Sequence, residues 1–325
     1  MKAVVYTAPR RVEVADWPEP ECGADEVLVR MRGVGLCGSD LTVYDGHREL
    51  PSLPWVMGHE GGGDVVAVGS AVTDRQVGQR VVVEPNYACL ECAACRSGQT
   101  SQCQNRRIVG MNHPGVLAEQ VCVPAAFTHV VPDDWPDERL AVFEPLVVAR
   151  AAVRRARVRP DAACLVVGAG SQGLLVCLTL LAIGAQPYVS EPHEGRVALA
   201  EKLGARRADL DAETYPYAFE TAGVAPAFGT ALRGVARGGT ITLIGLVKEP
   251  VPVDLTDVVR RGLTITGSII YDHPTDFADT RDAVASGAVA PERAVHAGTP
   301  PDQAAQAFAE ARTATGKSWI DLTQW

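Results

Sequence analysis

Four cysteines lie within fifteen consecutive residues of this 325-residue chain, in the stretch CLECAACRSGQTSQC. Their spacing is C-x2-C-x2-C-x7-C, and it is formed by Cys89, Cys92, Cys95 and Cys103. Two-residue gaps let thiolates converge on one tetrahedral ion, and four sulfur ligands fill the shell of Zn²⁺ without leaving an open position. Iron–sulfur proteins use a similar spacing, but here the fourth gap is long and no second cluster motif follows. We therefore predict a structural zinc site that folds a loop and does no chemistry.

A second set of possible metal ligands is mixed in type and scattered along the first half of the chain. The motifs GVGLCGSD, MGHEGGG and VFEPLVVA supply Cys37 with its neighbours Ser39 and Asp40, then His59 and Glu60, and finally Glu144. Singly, each has an ordinary structural explanation, such as a buried thiol, a loop histidine or a charge at a helix start. Three mixed ligands with one position left open are, however, the arrangement of a catalytic zinc.

A glycine-rich turn in the second half of the chain indicates dinucleotide binding. In CLVVGAGSQGLL, three glycines follow a β-type run and open a helix with the spacing G-x-G-x-x-G: Gly168, Gly170 and Gly173. These glycines allow a tight turn, a close approach of the backbone to a pyrophosphate and close helix–strand packing. The next predicted strand ends at Glu191, whose carboxylate would accept the ribose hydroxyls and repel a 2′-phosphate. This favours NAD over NADP, although Glu191 could also be a surface charge at a helix start.

The elements that must position these residues fall into two kinds. Up to about residue 128, short β-branched runs separated by Gly, Pro and Asp predict a compact, barrel-like β unit. From about residue 147, helical runs alternate with apolar strand-like runs, which predicts a parallel sheet with helices on both faces and an α/β fold. One connection, RRADLDAETYP, is too short to hold the usual helix. The segment DQAAQAFAEARTATGKSWIDL is predicted to form one amphipathic helix followed by a short strand.

Composition excludes several classes of partner. The formal charge is -9 and the pI is about 5.3, which argues against a nucleic-acid or anionic-membrane partner. The first residues resemble no secretion signal, and the longest apolar stretch is too short to span a bilayer, so we expect a soluble, cytoplasmic protein. In a reducing compartment disulfides are rare. The remaining cysteines are therefore predicted to be reduced core residues: Cys22, Cys122, Cys164 and Cys177.

Taken together, these motifs resemble the zinc-dependent medium-chain dehydrogenases of the alcohol dehydrogenase superfamily, in the sorbitol and threonine dehydrogenase branch. The resemblance implies a GroES-like catalytic domain over residues 1–147 and 272–325 and a Rossmann domain over residues 148–271. It implies two zinc ions per chain, NAD as the coenzyme and a homodimer or homotetramer. It also implies a catalytic zinc held by Cys37, His59 and Glu144, with Glu60 as an exchangeable or outer-sphere ligand. Gln172 would lie in the pyrophosphate turn, and Glu191 and Arg196 would contact the adenosine ribose.

The implied reaction moves a hydride between a secondary alcohol (a polyol, an amino alcohol or a cyclitol) and NAD. Ser39 would accept the alcohol proton while Asp40 orients a zinc ligand. Family members often carry a histidine five residues after the zinc cysteine, and this chain has Thr42 there. The proton could pass through Thr42, a water or the ribose, or His47 could substitute. Three alternatives stay open: a zinc-free quinone or enoyl reductase, a non-catalytic dinucleotide sensor, and a zinc-ribbon nucleic-acid module that the acidic charge opposes.

Overall fold

The computed structural model describes residues 1–325, and the chain divides into two compact units. The first unit comprises Met1–Glu144, Asp272–Ala285 and Val295–Trp325, and the second comprises Pro145–Tyr271 and Ser286–Ala294. None of the helices combines the length and the apolar character that crossing a membrane would require.

The amino-terminal part of the first unit is rich in strands, as its β-branched runs predict. Its strands are β1 (Lys2–Ala8), β2 (Arg11–Asp16), β3 (Glu26–Gly35), β4 (Trp55–Val56), β5 (Glu60–Val68), β6 (Arg80–Val83), β7 (Asn86–Tyr87), β8 (Arg107–Ile108), β9 (Gln120–Pro124) and β10 (Thr128–Val130). Its helices are α1 (Gly38–Tyr44), α2 (Ala93–Arg96) and the first part of α3 (Asp137–Ala156), with short 3-10 helices at Thr100–Gln102 and Ala125–Phe127.

The second unit alternates strands and helices. It contains β11 (Ala163–Val167), α4 (Ser171–Ala182), β12 (Gln186–Ser190), α5 (Glu194–Lys202), β13 (Arg206–Arg207), β14 (Tyr215–Glu220), α6 (Ala225–Gly234), β15 (Val235–Leu243), α7 (Leu255–Arg261) and β16 (Thr264–Gly267). All strand pairs in this unit are parallel, in the order β13-β12-β11-β14-β15-β16. The order reverses between β11 and β14, which is the switch point where such sheets bind dinucleotides.

Most of the carboxy-terminal segment belongs to the first unit. It contains α8 (Thr275–Ala285), α9 (Ala304–Glu310) and β17 (Trp319–Asp321), with 3-10 helices at Pro291–Ala294, Pro301–Gln303 and Leu322–Gln324. Strand β17 pairs antiparallel with the end of β3, with Trp319 opposite Gly35. The residues Ser286–Ala294, which the sequence places in the first domain, belong to the second unit because the 3-10 helix at Pro291–Ala294 packs against α4.

Antiparallel sheets form the core of the first unit. The larger sheet has the order β10-β6-β5-β3-β17, with β9 also paired to β3, and the smaller has the order β2-β1-β4. Alternate side chains of β3, such as Val27, Val29 and Met31, are buried, as expected for strands with one face on the core. Because β5 and β17 both pair with β3 near Gly35, the start of β5 and the returning tail lie beside the same point of the sheet.

One sequence-based expectation is wrong. Cys22 and Cys122 form a disulfide instead of lying reduced in the core, because pairing of β9 with β3 brings together cysteines 100 residues apart. As predicted, the tail contains a helix and then the short strand β17, and the helix, α9, ends at Glu310. Thr313, Thr315 and Gly316, which follow it, have low helix propensity. Cys164 and Cys177 are free and fully buried, as predicted. The connection between β13 and β14 has no helix, also as predicted.

Candidate active site and metal centres

Helix α1 starts at the residue that carries the first candidate zinc ligand. Cys37 is the N-cap in an extended conformation, and its backbone N–H donates to the Asp40 carboxylate at 2.9 Å. This bond satisfies an N–H group near the helix start, and the carboxylate also suits the positive end of the helix dipole. The short helix buries Leu41 and Val43 in the core of the first unit. The thiol of Cys37 is thereby held at a fixed point where β3 ends.

Asp40 links this helix to His59. The carboxylate of Asp40, which is fully buried, lies 3.2 Å from Nδ1 of His59, and Ser39 Oγ lies 3.4 Å from Nε2 of the same ring. A carboxylate at one ring nitrogen orients the other nitrogen towards a metal. The predicted contact between Asp40 and a candidate ligand is therefore present.

The electrostatics of this pair fit a metal-binding histidine. Burial would raise the pKa of Asp40, but the His59 ring and the Cys37 N–H stabilise the carboxylate and bring the pKa below its ordinary value. Burial would lower the pKa of His59, whereas Asp40, together with Cys37, raises it well above the ordinary value in the metal-free chain. A metal ion at the ring would have to displace this proton, so metal binding at the site depends on pH.

Glu60 is paired with a lysine that sequence reasoning did not identify. Glu60 begins β5 opposite Gly35, and its carboxylate forms an ion pair with the ammonium group of Lys317. Both side chains are almost completely buried, with exposures of 1% and 3%. Burial would lower the pKa of Lys317, but Glu60 raises it above the ordinary value. The only sequence signal for Lys317 is its place in the tail motif GKSWIDL.

Gly35 is required for this arrangement. A Cβ atom at this position would lie 2.3 Å from the carbonyl oxygen of Ala141, 2.6 Å from Glu60 and 2.8 Å from Lys317. No real side chain tolerates such distances. Strand β3 therefore ends in a residue without a side chain so that the buried ion pair can lie against its backbone.

The structure brings some, but not all, of the candidate ligands of the catalytic zinc close together. One donor atom from each of Cys37, His59 and Glu60 lies within 4.8 Å of the other two. This mutually close set does not include Glu144, which is buried in α3 at the boundary of the first unit. The hydroxyl of Thr42 donates to the carbonyl of Gly38 at 3.0 Å, within the helix. His47 is exposed just beyond the end of α1.

The four-cysteine lobe has the geometry of a tetrahedral site. The sulfur–sulfur distances are 3.5 Å for Cys92–Cys95, 3.6 Å for Cys89–Cys103 and 4.0 Å for Cys89–Cys95. Zinc–sulfur bonds of about 2.3 Å in a tetrahedron place sulfurs about 3.8 Å apart. The N–H groups of Glu91 and Cys92 lower the pKa of Cys89 to about 6, which favours the thiolate that a metal requires.

A buried carboxylate with two histidines lies near this lobe and was not predicted. Glu84 Oε2 is 2.7 Å from His129 Nε2 and 2.8 Å from His273 Nδ1, which are hydrogen-bond distances. The backbone N–H of His273 donates to Thr100, and the N–H of Ser101 in the lobe donates to Asp272. These bonds fasten the returning segment to the lobe and to the end of β6. The three residues are separated by up to 189 positions in the chain, so no local sequence pattern predicts that they lie together.

The glycine turn of the second unit has the predicted form. Gly168 has a φ of +96°, and a Cβ on Gly173 would lie 2.0 Å from the Gly168 carbonyl oxygen. A Cβ on Gly170, in contrast, would meet nothing within 4 Å. Gly168 and Gly173 are thus needed by the fold itself. The space at Gly170 is available to a ligand at the start of α4.

Glu191 follows β12 and lies next to this turn. Its carboxylate accepts hydrogen bonds from the N–H of Ala169 at 2.8 Å and from the N–H of His193 at 3.0 Å. Gln172 in α4 donates to the carbonyl of Pro145 at 3.3 Å. Arg196 lies in α5, the helix that follows Glu191. The structure therefore brings the turn and the predicted ribose acceptor together at the carboxyl edge of the sheet.

Comparison with known proteins gives the same picture for both halves of the chain. The alcohol dehydrogenase GroES-like domain family matches residues 23–133, and the zinc-binding dehydrogenase family matches residues 173–286. An L-threonine 3-dehydrogenase of Serratia proteamaculans is 33% identical over 274 residues, which cover 78% of this chain and 80% of that protein.

Solved structures are similar over nearly the whole length. Galactitol-1-phosphate dehydrogenase from Escherichia coli has a TM-score of 0.90 at 27% identity and covers 99% of this chain and 100% of its own. A zinc-binding dehydrogenase from Sinorhizobium meliloti 1021, bound to NADP, has a TM-score of 0.91 at 28% identity over 98% of both chains. The chain belongs to the zinc-dependent medium-chain dehydrogenases of the alcohol dehydrogenase superfamily, oxidoreductases that move a hydride between an alcohol and a nicotinamide coenzyme.

Proposed function

We propose that this protein oxidises a secondary alcohol of the polyol, amino alcohol or cyclitol class to a ketone, with NAD as the hydride acceptor. The observation that carries the proposal is the set formed by Cys37, His59 and Glu60, with Asp40 behind His59. This set is separate from the four-cysteine lobe and contains mixed donors, whereas the lobe offers only sulfur. The names of the relatives, a threonine dehydrogenase and a galactitol-1-phosphate dehydrogenase, support substrates with several polar groups.

The residues fit two zinc ions. Thiolate, imidazole and carboxylate are all common zinc ligands, and because Asp40 contacts Nδ1 of His59, Nε2, which lies 3.4 Å from Ser39 Oγ, is the ring nitrogen that would bind the ion. Cys37, His59 and Glu144 would hold the catalytic ion, with Glu60 exchanging between the ion and Lys317. The four cysteines of the lobe would hold the structural ion. Such a catalytic ion would lower the pKa of an alcohol oxygen and so make the hydride easier to release.

Side chains of the protein would then accept the alcohol proton and pass it on. Ser39 Oγ, at 3.4 Å from Nε2 of His59, is placed to accept the alcohol proton while passing its own hydrogen onwards. Thr42 lies one helical turn further along α1, and its hydroxyl oxygen keeps lone pairs free while its hydrogen bonds to Gly38. We propose that the proton leaves by this side of α1, through Thr42 and water. The nicotinamide coenzyme, when bound, would accept the hydride of the carbinol carbon and with it the two electrons that the substrate loses.

The coenzyme contacts would come from the second unit. Gly168, Gly170, Gly173 and Gln172 would hold the pyrophosphate, and Glu191 with Arg196 the adenosine ribose. A carboxylate at position 191 disfavours a 2′-phosphate, so we propose NAD as the preferred coenzyme. The structural relative with bound NADP makes this a point to measure.

Glu191→Gln is the direct test of this preference. The variant should weaken NAD binding and improve NADP binding, because one charge that attracts hydroxyl donors and repels phosphate is gone. Glu194→Gln is the matched control, since Glu194 is an exposed carboxylate on the next helix that pairs with Arg207. Unchanged affinities for both coenzymes in the Glu191 variant would mean that this residue is only a charge at a helix start.

The protein is also proposed to form homodimers or homotetramers. Strand β16 is one of the two edge strands of the parallel sheet, so one of its edges has unpaired backbone groups. Apolar side chains on and next to this strand are exposed: Leu255, Val259, Ile265 and Ile269. A second copy of the chain could pair with this edge and cover them. Analytical ultracentrifugation tests this, and a monomer at micromolar concentration would contradict it.

The experiment that tests the proposed function is a substrate panel. Polyols, amino alcohols and cyclitols are offered with NAD and with NADP, and the rise of reduced-coenzyme absorbance is followed. Turnover of at least one such alcohol is expected, together with loss of that turnover in Glu144→Ala. Coenzyme binding without turnover of any alcohol would favour the non-catalytic sensor instead.

A further inference from the structure

Glu220 is a fully buried carboxyl group at the end of β14 that no part of the reaction described above uses. Its Oε1 atom accepts hydrogen bonds from the N–H of Ala222 at 2.9 Å and of Gly223 at 2.8 Å. The side chain therefore folds back over the loop that follows its own strand. It fixes the path of residues 221–223.

The same residue also holds the neighbouring loop. The backbone carbonyl of Glu220 accepts the N–H of Ile244 at 2.9 Å and of Gly245 at 3.1 Å, just after β15 ends. A Cβ on Gly245 would lie 2.2 Å from the nitrogen of Gly223 and 2.5 Å from Glu220 Oε2. The loops after β14 and β15 are thus in direct contact, and Glu220 lies between them.

Thr221 connects these two loops to a third loop, the one that follows β11. Its hydroxyl lies 3.0 Å from the carbonyl oxygen of Val167 and 3.1 Å from that of Gly168, in the glycine turn after β11. A Cβ on Gly173 would come within 2.9 Å of the same hydroxyl. Residues 220 and 221 therefore fasten together the loops after three adjacent parallel strands. These loops lie at and beside the switch point, where such sheets bind a dinucleotide.

The second carboxyl oxygen of Glu220 shows that burying this side chain has a cost in free energy. Glu220 Oε2 is buried and has no hydrogen-bond partner. Burial raises the pKa of this carboxyl group, although the N–H groups of Gly223 and Ala222 act in the opposite direction. An unsatisfied buried polar atom costs free energy. An apolar side chain would avoid that cost but could not accept the two loop N–H groups.

We propose that Glu220 is a positioning residue for the nicotinamide coenzyme, which it serves by fastening residues 221–223 to residues 244–246 at the switch point. It touches neither the substrate nor the metal ligands, and it acts through the spacing of the two loops. The proposal requires only that the chain binds a nicotinamide coenzyme. It does not depend on which alcohol is oxidised or on the preference for NAD over NADP, so its failure would leave those proposals untouched.

The test compares Glu220→Ala and Glu220→Gln in the full-length, zinc-loaded protein. Binding of NADH and of NADPH is titrated by coenzyme fluorescence, and the melting temperature is measured on the same samples. Alanine removes the acceptor of two backbone hydrogen bonds, so the dissociation constant should rise about tenfold or more. Glutamine keeps a carbonyl oxygen in the place of Oε1, so it should restore the wild-type constant to within about twofold.

A matched control is Glu213→Gln, two residues before the start of the same strand. Glu213 is exposed and accepts a hydrogen bond from Tyr215, and its replacement should leave coenzyme binding unchanged. Wild-type coenzyme affinity in a folded Glu220→Ala variant would overturn the proposal, even if its melting temperature falls. An equally weakened glutamine variant would also overturn it, because the accepting oxygen is then not what matters.

Gly245→Ala disturbs the same contact between the loops after β14 and β15, but from the loop after β15. It tests the proposal if Glu220→Ala does not fold. Its methyl group would push against Gly223 and Glu220, so coenzyme binding should weaken as in the alanine variant. In a kinetic assay, the KM for the coenzyme should rise in Gly245→Ala more than kcat falls. Normal coenzyme binding in this variant would show that this contact does not position the coenzyme.

Discussion

Replacing Lys317 by methionine should destabilise the first unit by about 3–5 kcal/mol. The side chains of Lys317 and Glu60 are 3% and 1% exposed, so water cannot solvate the carboxylate that the mutation leaves behind. Exposed ion pairs contribute only about 0–1 kcal/mol, whereas removing one partner of a buried pair costs several times more. Methionine has nearly the length of lysine and no charge. The loss would therefore come mainly from the unpaired charge and not from a cavity.

The double variant Lys317→Met with Glu60→Gln separates this effect from packing. With both charges gone, most of the lost stability should return, so the coupling between the two positions should approach the sum of the penalties of the two single variants. Lys2→Met is the control, because Lys2 is exposed and belongs to the same unit. That variant should change stability by less than about 0.5 kcal/mol.

Urea unfolding followed by tryptophan fluorescence measures the stability of the first unit, which contains Lys317. All five tryptophans belong to the first unit: Trp17, Trp55, Trp135, Trp319 and Trp325. Glu60 raises the pKa of Lys317 above 10.5, so the stability from this group is present below that value and lost only as pH rises through the folded pKa. A loss below about 1 kcal/mol, or a double variant no more stable than the single one, would refute the reasoning.

Three further variants probe the lobe, a surface contact and the glycine turn. Cys95→Ser should lower the zinc content by one ion per chain and lower the melting temperature, and unchanged values of both would contradict the four-cysteine site. Arg312→Gln should cost about 1 kcal/mol at pH 7, because Arg312, acting against burial, lowers the pKa of Asp45. This difference should be present above about pH 4 and vanish as pH falls through the folded pKa of Asp45, as acid unfolding curves can measure. Gly173→Ala would place a methyl group 2.0 Å from a backbone oxygen and should unfold the second unit, whereas Gly170→Ala should melt normally but bind NADH poorly in a fluorescence titration.

Local patterns allowed the chemistry of this chain to be predicted well. The spacing of Cys89 to Cys103 and the glycines at 168, 170 and 173 each lie within one loop, so a short stretch carries the whole signal. The change from β-branched runs to alternating helical and strand-like runs likewise predicted the two kinds of unit, because apolar residues repeat with a characteristic period within each helix or strand.

Long-range contacts were not predictable in the same way. The Cys22–Cys122 disulfide, the Glu60–Lys317 pair and the Glu84–His129–His273 set all depend on which strands pair and in which register. A single sequence contains no local mark of such pairings. Glu220 was missed for a related reason, since its role arises from two loops that meet only when β14 and β15 lie side by side.

Counting zinc ions in the wild type and in Cys37→Ser tests the central claim most directly. A catalytic ion is proposed at Cys37 and His59, and a separate structural ion is proposed in the four-cysteine lobe. We predict two zinc ions per wild-type chain by elemental analysis, and one in the variant, which should keep NADH binding but lose alcohol oxidation. A variant that retains both ions and ordinary turnover would contradict the account.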